Sequence, residues 1–263
     1  MTSNQLDHLV VNTRFETDAA QALFAGLGFT LTPRGHHSLG SINHLAVFRR
    51  GYLELIGLPL GGGALRQEIV DSPVGIDGLV FASHDAEASH AALSAAGFGL
   101  QPVQQFSRPV AVDGGDRLAR FSTVRLLPGQ LPGGRVYVCE HHTPDLIWRP
   151  EWTGHANGVR EIAGLVVVGA DREKLSRNYA RLGAWAADFT LSFLPREGFD
   201  RLYGRLAAHA PARDDFFGAI RLRTDDPHQV AARAATLGLP VERDEARVVV
   251  ALPQFQTLLE FLP

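Results

Sequence analysis

The side chains able to do chemistry in this chain are histidines, carboxylates and a few arginines. A single cysteine, Cys139, excludes an intrachain disulfide framework and thiolate metal clusters, so a metal site must draw on the 11 histidines and the Asp and Glu residues. With no activating base beside it in the sequence, Cys139 reads as a small buried residue. Glu54 interrupts the apolar run Tyr52-Leu53-Glu54-Leu55-Ile56. A carboxylate between sheet layers must be paired, protonated or metal-bound. The run returns as Leu259-Glu260-Phe261. His8 sits in Leu6-Asp7-His8-Leu9-Val10, and His44 follows Asn43 in an apolar stretch. His36-His37 lie in a Gly- and Ser-containing loop and read as a solvated or cleft-rim pair, while His141-His142 end a strand before Thr143-Pro144. Arg108, Arg120 and Arg125 are candidates to hold an acidic group of a substrate, or to form a solvated strand face. The runs Leu60-Gly61-Gly62-Gly63 and Asp113-Gly114-Gly115-Asp116 lack the strand-to-helix context and lysine of a phosphate loop and read as turns.

Four repeats of one layout must position these residues. Each has a short apolar strand, an acidic or polar helix start, a helix and a glycine stop. The strands are Leu6–Val11, Ile76–Phe81, Ile162–Val167 and Phe217–Leu222, and the stops are Gly28, Gly97, Gly183 and Gly238. From the third strand residue to the stop the intervals are 20 (8 to 28), 19 (78 to 97), 19 (164 to 183) and 19 (219 to 238). Apolar residues at helical spacing, such as Ala20, Leu23, Phe24 and Leu27, give each helix one buried face. Unit one continues with strands at Phe29–Pro33, Asn43–Phe48 and Tyr52–Gly57, and unit four with Val241–Arg243, Arg247–Leu252 and Thr257–Leu262. Unit two ends on Val136–His141. Unit three offers only Phe189–Leu194, and Gly198–Leu206 reads as helix or loop.

This layout, with Leu6-Asp7-His8-Leu9-Val10 as first strand and Tyr52-Leu53-Glu54-Leu55 as last, resembles the glyoxalase-like branch of the vicinal oxygen chelate superfamily. The resemblance covers nearly the whole chain and is weak only after the helix of unit three. It implies an α+β fold of four βαβββ modules in two pairs, each pair an open, curled mixed sheet, or cup, with helices outside. It divides the chain into a lobe at 1–145 with the active cup, a linker at 146–158 and a second, shortened and degenerate lobe at 159–263. It also implies a divalent metal held from first and last strands. The first-strand ligand position falls on His8, with Gly78, Gly164 and Ala219 as its equivalents. The last-strand carboxylate falls on Glu54, with Tyr137, Ser192 and Glu260 as equivalents. Strand alternation turns His8, Val10, Asn12, Tyr52, Glu54, Ile56, Tyr137, Cys139 and His141 to the cup. The third ligand would be His141, or His44 if its strand takes that register; a one-residue slip inverts the face.

The expected activity is that of a lyase, isomerase or dioxygenase on a small oxygenated substrate. Metal would sit on His8, Glu54 and His141, or Glu54 would serve as base without it. Asn43, His44, Tyr52, Tyr137, Arg108 and Arg125 would contact substrate. The alternative is a metal-free binding or sequestering protein, whose pocket aromatics would include Tyr52, Phe106, Tyr137 and Trp148. Neither reading calls for an organic cofactor. The net charge of −3, from 25 basic and 28 acidic residues, provides no basic footprint for nucleic acid or membrane. No apolar run reaches the roughly 18–20 residues of a membrane span. Met1–Leu9 carries Asp7 and no cationic run, so a cytoplasmic monomer or homodimer is expected.

Overall fold

The computed structural model describes residues 4–61, 65–112 and 114–263. Met1, Thr2 and Ser3, Gly62 and Gly63 of the first glycine-rich turn and Asp113 of the second lie outside the described residues, as does Ala64.

The chain runs β1 (Leu6–Arg14), α1 (Thr17–Gly26), β2 (Gly35–His36), β3 (Ile42–Val47), β4 (Tyr52–Gly57), α2 (Gln67–Asp71), β5 (Gly75–Ser83), α3 (Ala86–Ala95), β6 (Gln104–Val112), β7 (Gly115–Arg125) and β8 (Arg135–His141). It continues as β9 (Val159–Val168), α4 (Arg172–Ala180), β10 (Thr190–Leu194), α5 (Arg196–Tyr203), β11 (Phe216–Thr224), α6 (Pro227–Thr236), β12 (Val241–Arg243), β13 (Val248–Leu252) and β14 (Thr257–Leu262). The acidic starts act as caps: Asp85, Asp171 and Asp226 accept from backbone N–H groups of the first turns of α3, α4 and α6. At the far end of α1, Gly28 takes a φ of 91°, the left-handed turn that lets Phe29 N bond back to Phe24 O.

The strands form two mixed sheets, ordered β2-β3-β4-β1-β5-β8-β7-β6 and β10-β9-β11-β14-β13-β12. In each, the first strands of two modules run antiparallel through the middle. Leu9 pairs with Leu79, so a local two-fold relates the halves of the larger sheet. The equivalences read from the repeat hold in the register: Val10 pairs with Glu54, Val80 with Tyr137, Val166 with Ser192 and Arg221 with Glu260.

The larger sheet curls until its edges nearly meet, where Ser38 N donates to Ser107 O at 2.9 Å. Leu53, Leu55 and Val136 face outward to the helices, and Val10, Tyr52, Ile56 and Tyr137 face inward. The outer faces of both sheets and their helices share one apolar core, which runs from Leu9 and Phe24 to Ile220 and Phe261.

Three segments depart from the expected layout. Phe29–Pro33 is not a strand. Pro33 brings no N–H, Thr32 Oγ1 accepts from Leu45 N, and Thr30 is tied to Gly154 and His155. The short β2 replaces it. Unit three stops after β10, and α5 with its following turn packs into the concave face of the smaller sheet through Phe199, Tyr203 and Leu206. Finally, the stretch after β8 is more than a connector, because Leu146, Ile147 and Trp152 pack into the interior of the larger cup. No helix among the described residues is long and apolar enough to cross a membrane.

Candidate functional site

The inside of the larger cup holds a buried polar cluster in otherwise apolar surroundings. His8 on β1 and Glu54 on β4 are 3% and 6% exposed, and His8 Nε2 lies 3.8 Å from Glu54 Oε2. Tyr137 O–H stands 3.4 Å from the same nitrogen, and the His8 ring stacks on Tyr52 with centroids 4.3 Å apart. Behind His8, its Nδ1 is hydrogen-bonded to Asp7 Oδ1, which also takes His141 Nε2 at 3.1 Å. Adjacent strand residues normally face opposite ways. Here the β1–β5 register shifts between Leu6 and His8, and Asp7 bonds to the imidazole of its neighbour.

Burial pushes the Asp7 carboxyl up, but the charges and hydrogen bonds of His141 and His8 outweigh it and hold it well below the usual range. An ionised Asp7 accepts from Nδ1 and so fixes the imidazole with Nε2 towards Glu54. Burial likewise raises Glu54. His8, His37, the Asn43 hydrogen bond and Arg66 together bring it below the ordinary value, so it stays a carboxylate. Asn43 Nδ2 donates to Glu54 Oε1 at 2.6 Å, and His37 Nε2 lies 4.0 Å from that oxygen. His37 Nδ1 is in turn 2.9 Å from Ser41 Oγ.

Arg108 on β6 completes the lining. It is 3% exposed, its Nη2 has no hydrogen-bond partner, and it enters no ion pair among the described residues. Asn43 Oδ1 is also buried without a partner among the described residues. Between these groups lies a cavity of about 30 Å³, room for little more than a water molecule.

The residues singled out from the sequence divide clearly. His8, Glu54, Asn43, Tyr52, Tyr137, Arg108 and Arg125 all line this cavity. His44 does not join them. It lies on the other face of β3, with Nδ1 2.8 Å from Thr32 O and Nε2 facing Arg34. His141 meets His8 only through Asp7, and its ring packs on Trp148. Among the ionisable groups that line or support the cavity, Asp7, His37 and Arg66 were not singled out as site residues.

The donor set decides how well a metal ion fits. His8 and Glu54 are spaced for a common ion, but the pseudo-equivalent positions are Gly78 and Tyr137. A Cβ at Gly78 would come within 2.6 Å of Val10 Cγ2, so no side chain can be offered there. Glu54 Oε1 is engaged by Asn43, and Arg66, Arg108 and Arg125 surround the space with positive charge. Two strong donors among guanidinium groups do not make a divalent site. Among the described residues one group of three could hold an ion: Asp7, Cys139 and His141, whose ligand atoms lie within 4.8 Å of one another. There the Asp7 oxygen is shared by two imidazoles, and burial raises the Cys139 thiol, with Asp7 and Glu54 adding to the effect.

The smaller sheet repeats the Glu54 position as Glu260 but seals it. Tyr203 O–H, Arg221 and Arg247 donate to its carboxylate at 2.7, 2.9 and 2.8 Å, and α5 fills the space above it.

Mixed sheets of paired modules with helices outside, one sheet curled into a cup around a His–Glu pair, are the fold expected of the glyoxalase-like class. The chain belongs to the glyoxalase-like domain family, whose model matches residues 6–183. Among solved structures it is similar to a hypothetical protein from Staphylococcus aureus, at 12% identity and a TM-score of 0.68 over 99% of both chains. It is also similar to a triple mutant of 4-hydroxymandelate synthase from Streptomyces coelicolor, at 12% identity and a TM-score of 0.55, covering 99% of this chain and 92% of that one. A xylose isomerase-like TIM barrel/4-hydroxyphenylpyruvate dioxygenase fusion protein matches at 13% identity and a TM-score of 0.60, over 99% of this chain and 49% of its own. No curated protein matches the sequence.

Proposed function

We propose that the chain is a small-molecule enzyme of isomerase or lyase type, which moves a proton on a small, oxygenated, anionic substrate. The observation that carries this is the Asp7–His8 pair aimed at an ionised, buried Glu54 beside an unpaired buried arginine. Glu54 Oε2 takes the proton from a carbon next to a carbonyl. Arg108 holds the negative charge that develops on oxygen, and the phenol of Tyr137 donates to it. His8, steadied by Asp7, relays the proton from Glu54. Of the three expected reaction types, dioxygenation draws least support, because it needs a metal that the His8–Glu54 donors do not accommodate. In this reading residues 1–145 are the catalytic lobe and 159–263 its support, and 146–158, whose Leu146, Ile147 and Trp152 fill the cup, must move aside to admit substrate to a space that otherwise holds little more than water.

The test is exchange of the proton next to the carbonyl in deuterated water, followed by proton NMR on a panel of 2-oxo and 2-hydroxy acids, with and without chelator. The wild type should exchange at least one compound irrespective of chelator. Glu54→Gln should lose on the order of 10²–10⁴-fold of that rate. Exchange that survives Glu54→Gln, or that needs added metal, refutes the assignment; binding without exchange would leave the sequestering protein as the better reading.

A further inference from the structure

A second and larger space lies against the outside of the cup. It is a groove of about 540 Å³, and Arg125 and Tyr137 belong both to its lining and to that of the buried cavity. One wall is apolar, with Leu126, Leu127 and Leu131. On the other stand Glu68 of α2, Arg125 and Arg135, and Arg66, which lines the buried cavity rather than the groove, also reaches Glu68. Arg66 binds it with two good hydrogen bonds, at 2.6 and 3.1 Å to Oε2. Arg125 Nε and Arg135 Nη1 reach Oε1 only at 3.5 and 3.3 Å, longer than the roughly 2.7–2.9 Å of a charge-assisted bond. Arg135 has a second partner, Asp77, at 2.6 Å. Arg125 Nη1 donates to Gln104 Oε1, yet Arg125 Nε and Arg135 Nη2 are left without hydrogen-bond partners among the described residues, although the Arg125 side chain is only 5% exposed. One carboxylate oxygen thus serves two arginines poorly while its twin serves Arg66 well.

We propose that Arg125 and Arg135 form a second anion subsite, which Glu68 fills in the absence of ligand, so that the substrate is a small molecule with two acidic groups. The first group pairs with Arg108 inside the cup. The second enters from the groove and displaces Glu68 Oε1 from Arg125 and Arg135, while Glu68 Oε2 keeps its bonds to Arg66. The chain between the two acids passes Tyr137 and rests on the leucine wall. This rests on the anionic substrate proposed above and deepens it.

The experiment is calorimetric titration of the full chain with straight-chain dicarboxylates from malonate to adipate, each beside the monocarboxylate of equal length. In the wild type at least one diacid should bind about tenfold or more tightly than its monoacid partner. Glu68→Gln removes the internal competitor and should tighten that diacid about tenfold further, leaving the monoacid unchanged. Glu68→Asp, which keeps the charge and the fold but shortens the reach, should fall between the two. Arg135→Gln should abolish the advantage of the diacid. Equal binding of diacid and monoacid, or a diacid affinity indifferent to both Glu68 variants, overturns the subsite. If monoacid binding is then still lost in Arg108→Met, the proposed function stands without it; if no anion binding responds to Arg108→Met, that reading fails as well.

Discussion

Replacing Arg108 with methionine should make the protein more stable and less able to hold a ligand. Arg108 is 3% exposed and its Nη2 meets no partner among the described residues. Burial lowers its pKa, and the attraction of Tyr52 and Glu54 does not restore it, so the folded state carries the charge at a cost. Exchanging buried charges for apolar groups of similar volume commonly stabilises by about 1–4 kcal/mol. Loss of the attraction to Glu54 returns roughly 1 kcal/mol. A net gain of about 0–3 kcal/mol remains, which for a chain of this size raises Tm by up to about 12 °C. Urea unfolding at neutral pH measures it, with an unchanged dependence on denaturant showing that the same surface is exposed. A lower midpoint for Arg108→Met would refute the reasoning, because it would mean that the folded protein itself satisfies the guanidinium and no ligand is needed to explain it.

Two other outcomes follow from the same physics. Burial lowers the His37 imidazole from 6.5 to about 4 against the pull of Glu54; the unfolded chain therefore takes up this proton first, and the stability His37 confers is complete above pH 6.5 and declines as pH falls towards 4. Urea unfolding between pH 7.5 and 4 should show wild type losing on the order of 3 kcal/mol more than His37→Gln. In the filled second cup, Tyr203→Phe removes a 2.7 Å hydrogen bond to Glu260 and should cost about 1–3 kcal/mol in thermal unfolding, with proton exchange in the first cup unaltered.

The repeat made much of this architecture legible. Glycine stops at near-equal intervals and acidic helix starts mark the modules, and strand alternation places Tyr52, Glu54 and Tyr137 on one face and Leu53 and Leu55 on the other. What stayed hidden depends on local irregularity or on contacts distant in sequence. Asp7 reaches His8 only because the strand register slips beside it, and alternation alone sends it to the opposite face. Asn43 and His44 were equivalent by pattern, and only the pairing of His44 with Leu55 and Asn43 with Ile56 separates them. His37 and Arg66 come from loops with no periodicity to fix their direction. The filling of the second cup was only half legible, since Gly198–Leu206 reads as helix or loop but nothing in it shows that α5 enters the cup.

The local two-fold at Leu9 and Leu79 has a stereochemical consequence. A symmetric cup would present the same groups to both faces of a flat, carbonyl-bearing molecule. Here one half offers His8 and Glu54, and the other offers Gly78 and Tyr137 at the matching positions. If the proposed proton transfer takes place here, a planar intermediate lying across the axis would meet a proton carrier on one side and a phenol on the other. Protonation would then come from a single face, and deuterium taken up from solvent would appear in one enantiotopic position only.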